Sequence, residues 1–90
     1  MDKLFLISYD LRHINKDYSK LYEAIKNEGE WRHALESTWF IKTNPNNCAA
    51  LIYKNIKPTI SEEDTLFIVD ITECQNAGWM GKNTWKWLKE

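Results

Sequence analysis

One hexapeptide concentrates the groups best able to do chemistry. Ser8-Tyr9-Asp10-Leu11-Arg12-His13 sets a carboxylate, a guanidinium and an imidazole close together, directly after an apolar run. A carboxylate fixed at a strand end is a hard oxygen ligand for Mg²⁺ or Mn²⁺, which takes one or two such groups and keeps several waters. Arg12 offers a forked pair of donors to a phosphate. His13 has a side chain that titrates near neutral pH without any perturbation. Asp10 is therefore the candidate catalytic residue and metal ligand, and His13 a candidate catalytic partner for proton transfer. Arg12, Tyr9 and Trp79 are candidate substrate contacts. The competing reading of Asp10 is structural, since an Asp at a strand end often closes a loop by bonding its own backbone.

Elsewhere the chain offers less. It has no Gly-rich phosphate loop, no paired CxxC, no HExxH and no nucleophile elbow. His13 and His33 are too far apart to form a metal signature. Asp70 reads as a strand-end residue bonded to backbone or to a Lys or Arg, because buried charges are paired. Ser37 and Thr38 have no neighbouring base and read as sheet residues. His33, beside Trp31 and Arg32, reads as a solvated strand histidine, and Glu62-Glu63-Asp64 as a solvated turn. Trp79, Trp85 and Trp87 could stack on bases or a nucleotide, or could fill a core or a dimer interface. Trp85 and Trp87 are two positions apart and cannot share one helix face, so one of them is exposed or covered by a partner chain.

The elements that must position these groups follow from hydrophobic patterning. Leu4 to Ile7 is continuously apolar, which fits a central strand covered on both faces. Tyr18, Leu21, Tyr22 and Ile25 form one helical stripe, with Asn15 or Asp17 able to cap it and Gly29 able to end it. Glu30 to Leu35 and Ser37 to Thr43 are strands with a tight turn or bulge near 36/37. In the second strand Trp39 and Phe40 point to opposite faces, so both faces should be covered. Asn44-Pro45 reads as a helix start, with Cys48, Leu51, Ile52 and Ile56 facing the core and Pro58 ending the helix. Leu66 to Val69 repeats the all-apolar strand. Lys82 to Lys89 reads as a short helix with Trp85 and Leu88 on one side. The order is strand–helix–strand–strand–helix–strand with a C-terminal appendage. That order predicts an α+β, ferredoxin-like βαββαβ sandwich whose first and last main strands are neighbours.

Ninety residues allow one domain, 1–90, with a core over 1–72 and a Trp-rich appendage over 73–90. Five tryptophans and 13% aromatic content exclude disorder. Twelve Lys and Arg stand against 13 Asp and Glu, with seven of each sign in residues 1–45. A dedicated duplex binder carries a basic surplus, so a nucleic-acid site here must be a local patch or be assembled by oligomerisation. Two distant cysteines make no disulfide framework and predict a reducing, cytoplasmic setting with Cys48 buried. The apolar run before Asp10 is too short for a signal peptide, and no stretch is long enough to span a membrane.

Several of these segments together resemble the CRISPR-associated protein two family and its stand-alone SinR-like relatives. The resemblance lies in the apolar strand ending in Tyr9-Asp10, the Tyr18–Ile25 helix, Ser37-Thr38-Trp39-Phe40, and the acidic turn before Asp64-Thr65-Leu66-Phe67. It covers roughly residues 1–72, with Trp39 where the family often has Phe and with residues 73–90 outside the core pattern. It implies a ferredoxin-like homodimer in which Asp10 of each subunit lies at the dimer cleft. There the pair could hold Mg²⁺ or Mn²⁺ for phosphodiester cleavage of RNA or DNA. It also implies an alternative, a non-catalytic module of the same fold that binds nucleic acid, a nucleotide or a protein. Membership of a larger phage-defence assembly is a further implication.

Overall fold

A computed structural model describes residues 2–13 and 15–90. The sequence reads Leu11 to Asn15 as a loop, and Ile14 within it lies outside the described residues. Along the chain come β1 (Lys3–Asp10), α1 (Ser19–Lys26), β2 (Glu30–Leu35), β3 (Thr38–Thr43), α2 (Ala49–Ile56), a short 3₁₀ turn, β4 (Thr65–Asp70) and α3 (Lys82–Lys89). The strands form one four-stranded antiparallel sheet of order β2-β3-β1-β4. This is a small α+β fold with three helices, and its first and last strands are neighbours.

Strand alternation divides β1 between two faces. Phe5, Ile7 and Tyr9 are buried on the face that α1 and α2 cover. In register, Phe5 sits opposite Ile41, and Ile7 lies between Trp39 and Ile68. Helical periodicity supplies Leu21 and Ile25 from α1 and Ile52 and Ile56 from α2 to close this core. Gly29 permits the approach of the α1–β2 turn to β3: a Cβ there would lie 2.2 Å from the Lys42 carbonyl oxygen.

Leu4, Leu6, Ser8 and Asp10 face the other way. Residues 71–90 fold back over part of this second face. The Ile71 N–H donates to the Leu4 carbonyl at 2.8 Å, and the Leu4 N–H donates to the Thr72 hydroxyl at 2.9 Å. Glu73 then turns the chain through a left-handed conformation (φ 58). From α3, Trp87 is buried with Lys42 Nζ 4.4 Å and the Arg32 guanidinium 5.7 Å from its ring. Lys42 also donates to the Trp87 carbonyl. Phe40 is thereby buried, so both aromatic faces of β3 are covered as its alternation predicts.

Four sequence expectations need correction. The second helix begins at Ala49 and not at Asn44-Pro45, because the Asn44 side chain accepts the Asn46 N–H at 2.9 Å and caps a turn instead. On that helix Leu51 is exposed, since the axis is set by Ile52 and Ile56. β4 is not covered on both faces: it is an edge strand, and the appendage packs toward β2, leaving Phe67 62% exposed. Cys48 is half-buried and not buried, and Cys74 is exposed.

Candidate functional site

The C-terminal end of β1 gathers the candidate chemistry. Asp10 is the last residue of the strand, paired in register with Thr65 and turned away from the helix-covered core. Its carboxylate lies 3.3 Å from the Arg12 guanidinium, and the two side chains are 64% and 62% exposed. Such an exposed pair contributes little to stability, so both groups are free to take other partners. His13 Nε2 lies 3.2 Å from a Glu63 carboxylate oxygen. His13 also lines a shallow hollow of about 430 Å³ with Asn15, Lys16 and Ser61. Of the sequence-predicted residues, Asp10 and Arg12 are thus brought together at one sheet end, while His13 turns to Glu63 in the loop that follows.

The residue that holds this loop in place is Asp64. Its Oδ1 accepts the Arg12 N–H at 2.8 Å and the Tyr18 hydroxyl at 3.1 Å. Its Oδ2 accepts the Ser61 N–H at 3.0 Å and the Ser61 hydroxyl at 3.1 Å. The solvated-turn reading of Glu62-Glu63-Asp64 is therefore corrected at Asp64, which is buried. Burial alone would raise its pKa, but the hydrogen bonds from Arg12, Ser61 and Tyr18 outweigh it and hold the carboxyl well below the usual carboxylate range. The only local signal was the Ser-x-x-Asp spacing of Ser61 and Asp64; the partners Arg12 and Tyr18 are remote in sequence.

Tyr9 and Trp79 are not part of this cluster. Tyr9 is in the core, where it accepts the Trp39 Nε1–H at 3.0 Å and donates to the Glu36 carbonyl at 3.4 Å. Burial pushes its hydroxyl up to about 12. Tyr9 is thus a packing residue beside the site, with no surface to offer a substrate. Trp79 belongs to the appendage and is 98% exposed. His33 is exposed as expected, yet its ring stacks on Trp39 at 4.0 Å and its Nε2 donates to the Glu36 carbonyl at 2.9 Å. Asp70 accepts the Thr72 hydroxyl at 2.6 Å and the Thr72 N–H at 2.9 Å, which lower its pKa in that order. It is a strand-end cap.

Among the described residues no three acidic, histidine or cysteine side chains converge as a metal-holding group. The donor set at Asp10 fits a divalent ion as one exposed carboxylate per chain, so a two-carboxylate site needs a second copy. No helix among the described residues is long and apolar enough to cross a membrane. No protein-family model matches this chain, and no curated protein matches it.

Proposed function

We propose that the chain acts on nucleic acid as a cytoplasmic homodimer of ferredoxin-like subunits and cleaves phosphodiester bonds with a divalent metal. The observation that carries this reading is the placement of Asp10: an exposed carboxylate at the end of the central strand, 3.3 Å from the Arg12 guanidinium. The ferredoxin-like assignment draws support from the β1–α1–β2 and β3–α2–β4 connections, each of which leaves one strand between its two. Kinship with the CRISPR-associated protein two family rests on the segments quoted from the sequence, and a phage-defence setting rests on that kinship.

Two Asp10 carboxylates facing each other across a dimer cleft would hold the ion. When bound there, Mg²⁺ or Mn²⁺ would supply an activated water and offset negative charge developing on the phosphoryl oxygens. Arg12 leaves its partner carboxylate and grips two phosphate oxygens with its fork. His13, 3.2 Å from Glu63, would pass a proton to the departing oxygen. Labelled RNA and DNA incubated with Mn²⁺ should be cut by the wild type, not in EDTA, and at least about 100-fold more slowly by Asp10→Asn. Equal cutting by both proteins removes Asp10 from the mechanism.

A second reading, a non-catalytic binding module, is favoured by one observation: Trp79 stands 98% exposed beside an apolar groove. Ligand binding that persists in EDTA, with no turnover, selects it.

A further inference from the structure

We infer that the groove between the second sheet face and residues 74–80 receives one unstacked base of a single-stranded nucleic acid, with the adjoining phosphates on Lys82 and Lys89. The inference rests on the nucleic-acid reading above but requires no cleavage. The groove encloses about 350 Å³, with Leu6, Thr38 and Phe40 in its floor, Trp85 and Leu88 in its wall and Trp79 at its mouth. That volume falls within the range of small-ligand sites, roughly 300–1,000 Å³.

Three features define what fits. No charged side chain lines the groove, so it suits a neutral ring and not a phosphate. The Trp79 ring is 98% exposed, which leaves its faces free to stack. Among the described residues, no backbone N–H or C=O from Gln75 to Met80 takes part in a hydrogen bond. The segment Cys74 to Trp79 is exposed, so these groups are open to the edge of a base as they are to water.

The phosphate side lies next door. A second hollow of about 580 Å³ shares Asn76, Gly78 and Trp85 with the groove and adds Lys82 and Lys89. No carboxylate lines it, and neither lysine is in an ion pair among the described residues. A neutral aromatic slot and two lysines, both bordered by Trp85, match the base and the backbone of a strand. Seven residues of helix, at about 1.5 Å each, set the lysines about 10 Å apart along α3, so they address more than one phosphate. This favours a strand over a free mononucleotide. A duplex keeps its bases stacked and paired, and cannot supply the ring.

The test is fluorescence anisotropy of short labelled oligouridylate and oligothymidylate with the full chain in EDTA. Trp79→Ala should weaken binding roughly 5- to 150-fold, the range of one stacking contact, and Trp79→Phe should restore most of it. Joint Lys82→Gln and Lys89→Gln should flatten the salt dependence by about 0.7 log units per phosphate lost. Thermal melts of the Trp79 variants should coincide with wild type because the ring is exposed. Trp79-independent binding overturns the proposal, as does equal affinity for a duplex, equal affinity for a nucleoside monophosphate, or no binding at all. Cleavage is read separately with Mn²⁺. A wild type that cuts nothing yet binds through Trp79 overturns the nuclease reading alone. Cutting with Trp79-independent binding overturns only the groove.

Discussion

Asp64 governs the candidate site without belonging to its chemistry. Replacing it with Ala strands the Arg12 and Ser61 amides and the Tyr18 hydroxyl in a buried spot. The cost should be about 2–4 kcal/mol in a urea titration, since each unmet buried donor costs about 1–3 kcal/mol and losses overlap. Its folded pKa is depressed, so the stabilisation is complete above the unfolded carboxylate value and is lost as pH falls toward the folded one. The wild type should therefore lose more stability than Asp64→Asn between about pH 7 and about pH 3, read as urea midpoints. A parallel loss in both proteins would place the acid sensitivity elsewhere. At this scale the sequence was legible where chemistry is local. Asp10 and Arg12 adjoin in the chain and adjoin in space. Asp64 was not legible, because an acid in an acidic run reads as solvated until partners 46 and 52 residues away are known.

Helices and strands were legible wherever one periodicity dominated. The α1 stripe and the alternation of β3 carried through because each buries a face against the same core. The start of α2 did not, because Asn44-Pro45 is as good a turn as it is a helix cap and nothing local decides between them. Burial of β4 failed for a different reason: an apolar run reports strand formation, while its coverage depends on where a distant appendage lands. That landing is fixed by Trp87. Trp87→Ala should cost about 3 kcal/mol, as large-to-small core changes do. It should also raise amide exchange across α3 and β2 while β1 and the helix-covered core stay protected. Uniform loss of protection would mean that the appendage and the sheet unfold together.

At the level of the whole molecule, β4 is an exposed sheet edge bearing Leu66, Phe67, Ile68 and Val69, with no proline. Such an edge is a template for pairing with another chain. Edge-to-edge pairing would set the two β1 strands about 14 Å apart, too far for their Asp10 carboxylates to share one ion. The proposed homodimer therefore meets through the sheet face that carries Asp10 and Phe67, and sedimentation equilibrium should give twice the monomer mass for the wild type. Phe67→Lys should shift the protein toward monomer while changing the stability of the isolated fold by no more than about 0.5 kcal/mol, as exposed substitutions do. An unaltered dimer would place the interface elsewhere. The link from Asp64 back to Arg12 also has a consequence in time. Asp10 is made well before its anchor: the loop after it is pinned by a side chain more than fifty positions later in the chain. Contacts of such separation must close a long stretch of chain before they stabilise anything. The cluster therefore comes into being only once β4 has docked, and a nascent or truncated chain ending before Asp64 would carry every one of its chemical groups without the arrangement that makes them a site.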